Sequence, residues 1–217
     1  MILAEPADRE QWLKERKKGI GASEAGAVLG LNRYKTAISI WQEKLGMSEE
    51  PDLSGNKAVQ FGNAAEPYLR ELFVLTYPQY TVEYHAFRMY ARSETPWLFA
   101  TLDGELTETE TGRRGILEIK TTEVKQAAQW KQWNDRVPDS YYAQMIHQLL
   151  ACEWAEFVEL FAHIRYWKNG SLSAVLRHYH LEREDVADDL DEVLTREAEF
   201  WEHLQSGEEP PVILPDI

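Results

Sequence analysis

The chain has one cysteine, Cys152, among 217 residues. One thiol cannot close an internal disulfide, nor can it supply a cysteine-ligated zinc or iron–sulfur centre within one chain. That composition fits a reducing cytoplasm. Apolar runs are short as well: none approaches the roughly 18 residues that a membrane helix needs. The start, MILAEPADREQW, has no basic segment followed by an apolar one, so no secretory leader is expected. Positive charge is scarce, with 23 Lys and Arg against 37 Asp and Glu, a net charge of −14. A protein that coats nucleic acid passively is usually basic. Any DNA contact here needs a local basic patch, with divalent metal offsetting some carboxylates.

What is present is a globular composition: 44% hydrophobic residues, eight Trp and ten Tyr. The length suits one domain over residues 1–217. Lys14, Arg16, Lys17, Lys18, Arg33 and Lys35 crowd the N-terminal part, while acid is heaviest in EREDVADDLDE near the other end. There is no internal repeat and no long linker; MSEEPDLSGNKA (47–58) reads as a surface loop and SGEEPPVILPDI as an extended tail.

Ser23 stands as the cap of a short helix, EAGAVL, stopped by Gly30. Thr36 caps a second helix with Ile38, Trp41 and Leu45 on one face, ended by Gly46. A third is expected from about Asn63 to Leu75, Pro67 in its first turn and Leu69, Leu72 and Phe73 inward. Strands follow in TVEYHAFRMY, WLFATLDGEL and GILEIKT. Helices are expected in VKQAAQWKQW and in SYYAQMIHQLLACEW, the latter with an Asp139 cap. Asn169-Gly170 then turns a hairpin between AEFVELFAHIRYW and LSAVLRHYHL. Val186, Leu190, Val193, Leu194, Trp201 and Leu204 mark a last amphipathic helix. The order implies an α/β or α+β domain, a mixed central sheet flanked by helices.

Chemistry concentrates in LEIKT. On a strand, Glu118 and Lys120 project to one face while Leu117 and Ile119 point to the other. A buried Glu–Lys pair is expensive unless it has a role. Asp103, followed by Gly104, meets Glu118 if 97–106 and 115–121 pair as neighbouring strands. Two carboxylates suit Mg²⁺, which keeps several waters; the metal acidifies one water and polarises a phosphate. A lysine beside it offsets developing charge. An isolated E-x-K is common on solvated strand edges, and here the apolar neighbours Ile116, Leu117 and Ile119 argue for a buried strand.

Near the N-terminus, Ser23 and the free N–H groups of Glu24, Ala25 and Gly26 would make an anion site. Gly21 permits close approach, and Arg16 lies near in sequence for a bidentate phosphate contact. Plain capping for Ser23 and an ordinary surface charge for Arg16 are the simpler alternatives. Glu24 places a negative charge in this pocket that the reading does not require.

The D-G … E-x-K pattern resembles the PD-(D/E)XK nuclease superfamily, whose core is restriction-endonuclease-like; Leu102 stands where a proline is usual. GIGASEAGAVLG, FGNAAEPYLRELF, LDGEL, LEIKT and YYAQMIHQL occur in the order seen in the phage lambda exonuclease family of YqaJ-like viral recombinases, over about residues 12–150. The resemblance implies a 5′→3′ exonuclease digesting one strand of duplex DNA from a 5′-phosphorylated end, for recombination by strand annealing, in the cytoplasm of a bacterial host. It implies Mg²⁺ or Mn²⁺, two ions per site, held by Asp103, Glu118 and the carbonyl of Ile119, with Lys120 as catalytic lysine. Glu66 matches a helix glutamate near the metals; alone it would be an exposed first-turn acid. Gln144 matches a helix glutamine, and Ile146 stands where many relatives carry a second. Arg16, Ser23 and Thr101 match recognition of a terminal 5′ phosphate. Trp12 matches an aromatic that parts the strands, and Val59 a second apolar wedge. Relatives work as ring-shaped trimers beside a single-strand annealing protein. A restriction-type or structure-specific endonuclease, or a non-catalytic binder of DNA or a partner on the same scaffold, are the competing readings.

Overall fold

The computed structural model describes residues 1–213. In chain order the elements are β1 (Ile2–Ala4), α1 (Arg9–Arg16), β2 (Ile20–Gly21), α2 (Ala25–Val28), α3 (Ala37–Lys44), α4 (Lys57–Thr76), β3 (Tyr80–Glu83), β4 (Met89–Ala91), β5 (Leu98–Ala100), β6 (Gly104–Glu108), β7 (Arg114–Val124), α5 (Ala127–Trp130), α6 (Asp139–Ala151), β8 (Phe157–Lys168), β9 (Ser171–Glu182) and α7 (Ala187–Ser206). Single 3₁₀ turns span Ala22–Glu24 and Glu184–Val186. The strands make two mixed sheets, one ordered β1-β4-β5-β2 and one ordered β3-β6-β7-β8-β9. Among the described residues, only β2/β5 and β7/β8 run parallel.

The mixed α/β class agrees with the expectation from sequence, but one central sheet becomes two. TVEYHAFRMY is not one strand: β3 joins the five-stranded sheet and β4 the four-stranded one. WLFATLDGEL divides likewise into β5 and β6, so the chain changes sheets across Thr101–Asp103. Pairing with β7 therefore begins only at Gly104, opposite Leu117. A Cβ on Gly104 would lie 2.7 Å from the Val82 side chain and 3.3 Å from Leu117 Cβ, so close approach requires glycine there.

Helices cover both faces of the five-stranded sheet, which is why ILEI reads as a nearly continuous apolar run. On one face α4 buries Leu69 and Phe73 against Leu106, Leu117, Ile119, Phe157 and Phe161. On the other, α6 buries Met145, Ile146, Leu149 and Leu150 against Ile116, Val158, Leu160 and Ile164. The same cluster includes Leu98 and Ala100 of β5, so α6 also backs the four-stranded sheet. α7 closes over α6 with Leu190 and Val193, joined by Val186 from the preceding 3₁₀ turn. Residues Asn169 and Gly170 adopt positive φ (52° and 79°), the turn that joins β8 to β9.

Several local expectations are corrected. Helix α4 starts at Lys57, where the Asn56 side chain accepts from the N–H groups of Ala58 and Val59, so the 47–58 loop ends earlier than expected. Pro67 is thus inside the helix, not in its first turn; it gives up the bond to the carbonyl four residues earlier, on Asn63. Leu72 is 37% exposed and not inward; Leu69 and Phe73 carry the buried face of α4. Val124 completes β7, leaving only Ala127–Trp130 helical in VKQAAQWKQW. Asp139 is the first residue of α6 and makes no cap; Pro138 holds the cap position. Of the expected C-terminal extended segment, Ser206 ends α7, residues 208–213 are in neither helix nor strand, and 214–217 lie outside the described residues. No helix among the described residues is long and apolar enough to cross a membrane.

Candidate active site

Most of the site residues singled out in the sequence line one cleft of about 830 Å³: Glu66, Asp103, Glu118, Ile119, Lys120 and Gln144 on its floor, and Trp12, Arg16, Ser23, Thr101 and Val59 at the end formed by α1 and the start of α4, whereas Glu24, Ala25 and Gly26 do not line it. The cleft opens where the chain passes from one sheet to the other, since Thr101–Asp103 is the crossing segment.

Strand β7 delivers Glu118 and Lys120 to the α6 face, as the alternation requires. Glu118 is 3% exposed, and its carboxylate is held from two turns of α6. Gln144 Nε2 donates to Oε1 at 2.7 Å and Gln148 Nε2 donates to Oε2. Lys120 Nζ pairs with Glu118 and donates to Gln144 Oε1 at 2.8 Å. Gln148 was missed in the sequence reading. The signal was available: positions 144 and 148 share one helix face, whereas Ile146 points into the core at 0% exposure.

Asp103 approaches from the sheet crossing, and its Oδ2 accepts from the Ile119 N–H at 2.7 Å. Its own main-chain carbonyl accepts from Arg70 Nε at 2.6 Å, and Arg70 pairs with Glu66 at 2.5 Å. Glu66 is therefore a mid-helix acid tied to Arg70, not an exposed first-turn residue. Arg70 also lies over the Tyr84 ring at 3.7 Å. Burial raises the Asp103 carboxyl well above the usual range, reinforced by the charges of Glu118 and Glu66. Burial pulls the Lys120 ammonium down, but Glu118 and Asp103 outweigh it, so its pKa rises and it stays charged. Among the described residues no three His, Cys, Asp or Glu side chains converge closely enough to be a metal ligand set by themselves. The hard donors at hand are two carboxylates and main-chain oxygen.

At the other end, Trp12 Nε1 donates to Thr101 Oγ1 at 3.0 Å, and the Arg16 guanidinium sits 4.7 Å from the Trp12 ring centroid. Arg16 also donates to Ser23 Oγ at 3.1 Å. Ser23 does not cap a helix: it lies inside the Ala22–Glu24 turn, and α2 that follows is a single turn. The expected backbone anion site changes with it. Ala25 N–H is bonded to the Ala22 carbonyl, and Gly21 N–H donates to Glu24 Oε2 at 2.8 Å. Glu24 is buried and pairs with Lys44 at 2.8 Å and with Arg16 at 3.9 Å. Its charge, unexplained by sequence, pins the 20–24 turn and Arg16 beside it. Lys44 completes the arrangement by donating to the Arg16 carbonyl at 2.6 Å. Burial lowers the Lys44 ammonium, with Glu24 opposing.

The N-terminal basic cluster does not converge as a patch. Lys14, Lys18 and Lys35 are taken by Glu10, Glu15 and Glu43. Of that cluster only Arg16 lines the cleft, joined there by Arg9 and Arg70.

The YqaJ-like viral recombinase domain family matches residues 11–154. The uncharacterized protein YqaJ of Bacillus subtilis (strain 168) is 29% identical over 98% of this chain; the chain spans 62% of that relative's length. Among solved structures, an alkaline exonuclease from Laribacter hongkongensis, LHK-Exo, is similar with a TM-score of 0.66 at 18% identity, covering 91% of this chain and 93% of that one. LHK-Exo in complex with dAMP gives a TM-score of 0.64 over the same shares of both chains.

Proposed function

The chain belongs to the family of YqaJ-like viral recombinase domains, and from that premise and the cleft geometry we propose that it is a divalent-metal-dependent exonuclease. In this reading it digests one strand of linear duplex DNA 5′→3′ from a 5′-phosphorylated end. The observation that carries it is the joining of the Asp103, Glu118 and Lys120 floor to the Arg16–Ser23 end within one cleft. The similar fold of LHK-Exo, an alkaline exonuclease, supports an exonuclease reading.

The donor set fits Mg²⁺ or Mn²⁺, since Mg²⁺ is commonly held by one or two carboxylates and otherwise by water. Asp103, Glu118 and the Ile119 carbonyl would hold the cation, with Glu66 beside it if a second ion binds. When bound, the cation supplies an acidified water and polarises the phosphate.

The chain's own residues supply the rest. Gln144 and Gln148 fix both oxygens of Glu118. Gln144 also aims Lys120. Lys120, which already donates to Gln144 Oε1, is placed to donate to the attacking oxygen and to offset phosphate charge. At the other end, Arg16 presents its guanidinium next to the Ser23 hydroxyl, where a terminal phosphate would take charge-assisted bonds from it. Trp12, held by Thr101 and Arg16, offers a face on which an end base can stack.

A net charge of −14 requires that DNA be gripped at this cleft and not over the surface. A ring of three copies, cleft mouths inward, would satisfy that requirement, with an annealing protein taking the exposed strand. A monomer in sedimentation at working concentration overturns the ring. The activity is tested by offering 5′-phosphorylated linear duplex and closed circular DNA with Mg²⁺. Loss of the linear substrate alone, abolished in Asp103→Ala, is expected. Equal attack on both substrates refutes end dependence.

A further inference from the structure

Between its two glutamines, α6 carries a third polar side chain that the nuclease reading does not use. His147 is fully buried. Its Nδ1 lies 2.8 and 2.9 Å from the two carboxylate oxygens of Glu197 on α7. Its Nε2 lies 2.9 Å from the main-chain carbonyl oxygen of Phe99 on β5. A carbonyl only accepts, so Nε2 carries a proton and donates to Phe99. Glu197, also 0% exposed, fixes the ring by engaging the other nitrogen.

A buried ion pair is weak evidence for stability, because desolvation offsets most of its attraction. Its position is more informative. Gln144, His147 and Gln148 fall at i, i+3 and i+4, one stripe of α6. From that stripe the glutamines hold Glu118 of the five-stranded sheet, and the histidine holds Phe99 of the four-stranded sheet. Asp103 follows Phe99 by four residues, across the crossing from one sheet to the other. Partner strands give β5 little purchase: β2 spans only Ile20–Gly21 and β4 only Met89–Ala91.

We propose that His147, oriented by Glu197, is a positioning residue that sets the register between the two sheets and so the placement of Asp103 against Glu118. One rigid helix then references both metal-binding carboxylates. Glu197 lies outside residues 11–154, which ties the C-terminal helix to the site. The catalytic meaning of this clamp rests on the proposed nuclease reading; the register itself does not. Misplacement by about 1 Å is enough to lower turnover by roughly 100-fold.

The test replaces both partners, His147→Leu with Glu197→Leu, since an apolar pair of this kind commonly preserves folding where a single change strands a buried charge. His147→Phe with Glu197→Leu keeps the ring shape without the donor and carries the same expectation where the leucine pair does not fold. The register is read in the metal-free protein by amide exchange at Ile119, whose N–H is bonded to Asp103 Oδ2. Expected are an Ile119 amide exchanging about tenfold faster, as loss of one hydrogen bond allows, unchanged core amides in β8, and kcat on linear duplex lowered with KM retained. Wild-type exchange at Ile119 in a folded double variant overturns the proposal. Uniformly faster exchange overturns it too, since that marks a merely structural pair. An inactive wild-type protein would refute the nuclease reading, and Ile119 exchange would still decide the register.

Discussion

Gln148 is the most informative single position. It is 0% exposed, and its amide is one of two that hold a carboxylate itself only 3% exposed. Gln148→Leu keeps nearly the same volume and removes one bond to a charged acceptor, worth about 1.5–3 kcal/mol. In a chain of this size each kcal/mol moves the melting temperature by about 2–4 °C, so a drop of about 3–12 °C is expected in EDTA. A bound cation would take up part of the coordination that Glu118 loses, so the drop with saturating Mg²⁺ is expected to be smaller. Turnover is also expected to fall, by about 10- to 100-fold, because Glu118 can rotate away while DNA binding at the Arg16 end is untouched. Thermal unfolding with and without Mg²⁺, and steady-state kinetics on a linear duplex, measure both. A variant with wild-type melting in EDTA and turnover within twofold would refute the idea that α6 orients Glu118 through this amide.

Arg16→Ala is expected to lower cleavage of 5′-phosphorylated ends by about 10- to 100-fold relative to 5′-hydroxyl ends, the worth of a charge-assisted bond; equal losses on both ends would remove it from phosphate recognition. Pro67→Ala restores an N–H for the Asn63 carbonyl and is expected to stabilise α4 by up to about 3 kcal/mol. Because Asn63 and Pro67 both line the cleft, kinetics will show whether the proline serves activity. Below the site, buried Glu159 bridges His178 and His180 at 2.6 and 2.8 Å and accepts from Tyr80 at 2.7 Å. The bond to Glu159 raises His180 from 6.5 to about 9 against burial. That contribution to stability is complete below pH 6.5 and lost as pH rises through about 9. Melting temperature is therefore expected to fall from pH 6.5 to 9.5, and His180→Gln to flatten the fall; an unchanged slope in the variant would show that His180 is not the group responsible.

The sequence by itself was enough for the elements whose signals are local. Thr36 caps α3 as expected, with its hydroxyl accepting from Ser39 N–H, and Asn169-Gly170 turns the hairpin. The alternation in LEIKT placed Glu118 and Lys120 on one face and Leu117 and Ile119 on the other, because side chains on a strand have a period of two whatever the fold. Motif order named site residues that the fold gathers into one cleft. Tertiary structure decided what depends on partners distant in the chain. β-Rich stretches do not reveal which sheet they join, so the break at Thr101–Asp103 that places Asp103 was invisible. Ser23 offered a cap by composition, but Arg16 and the Ala22–Glu24 turn claimed it. Glu24, Gln148, His147 and Glu197 acquire meaning only from groups that packing brings to them, across separations such as the 50 residues between His147 and Glu197. A buried polar side chain must find its partner in three dimensions, and no spacing rule specifies a partner on another element.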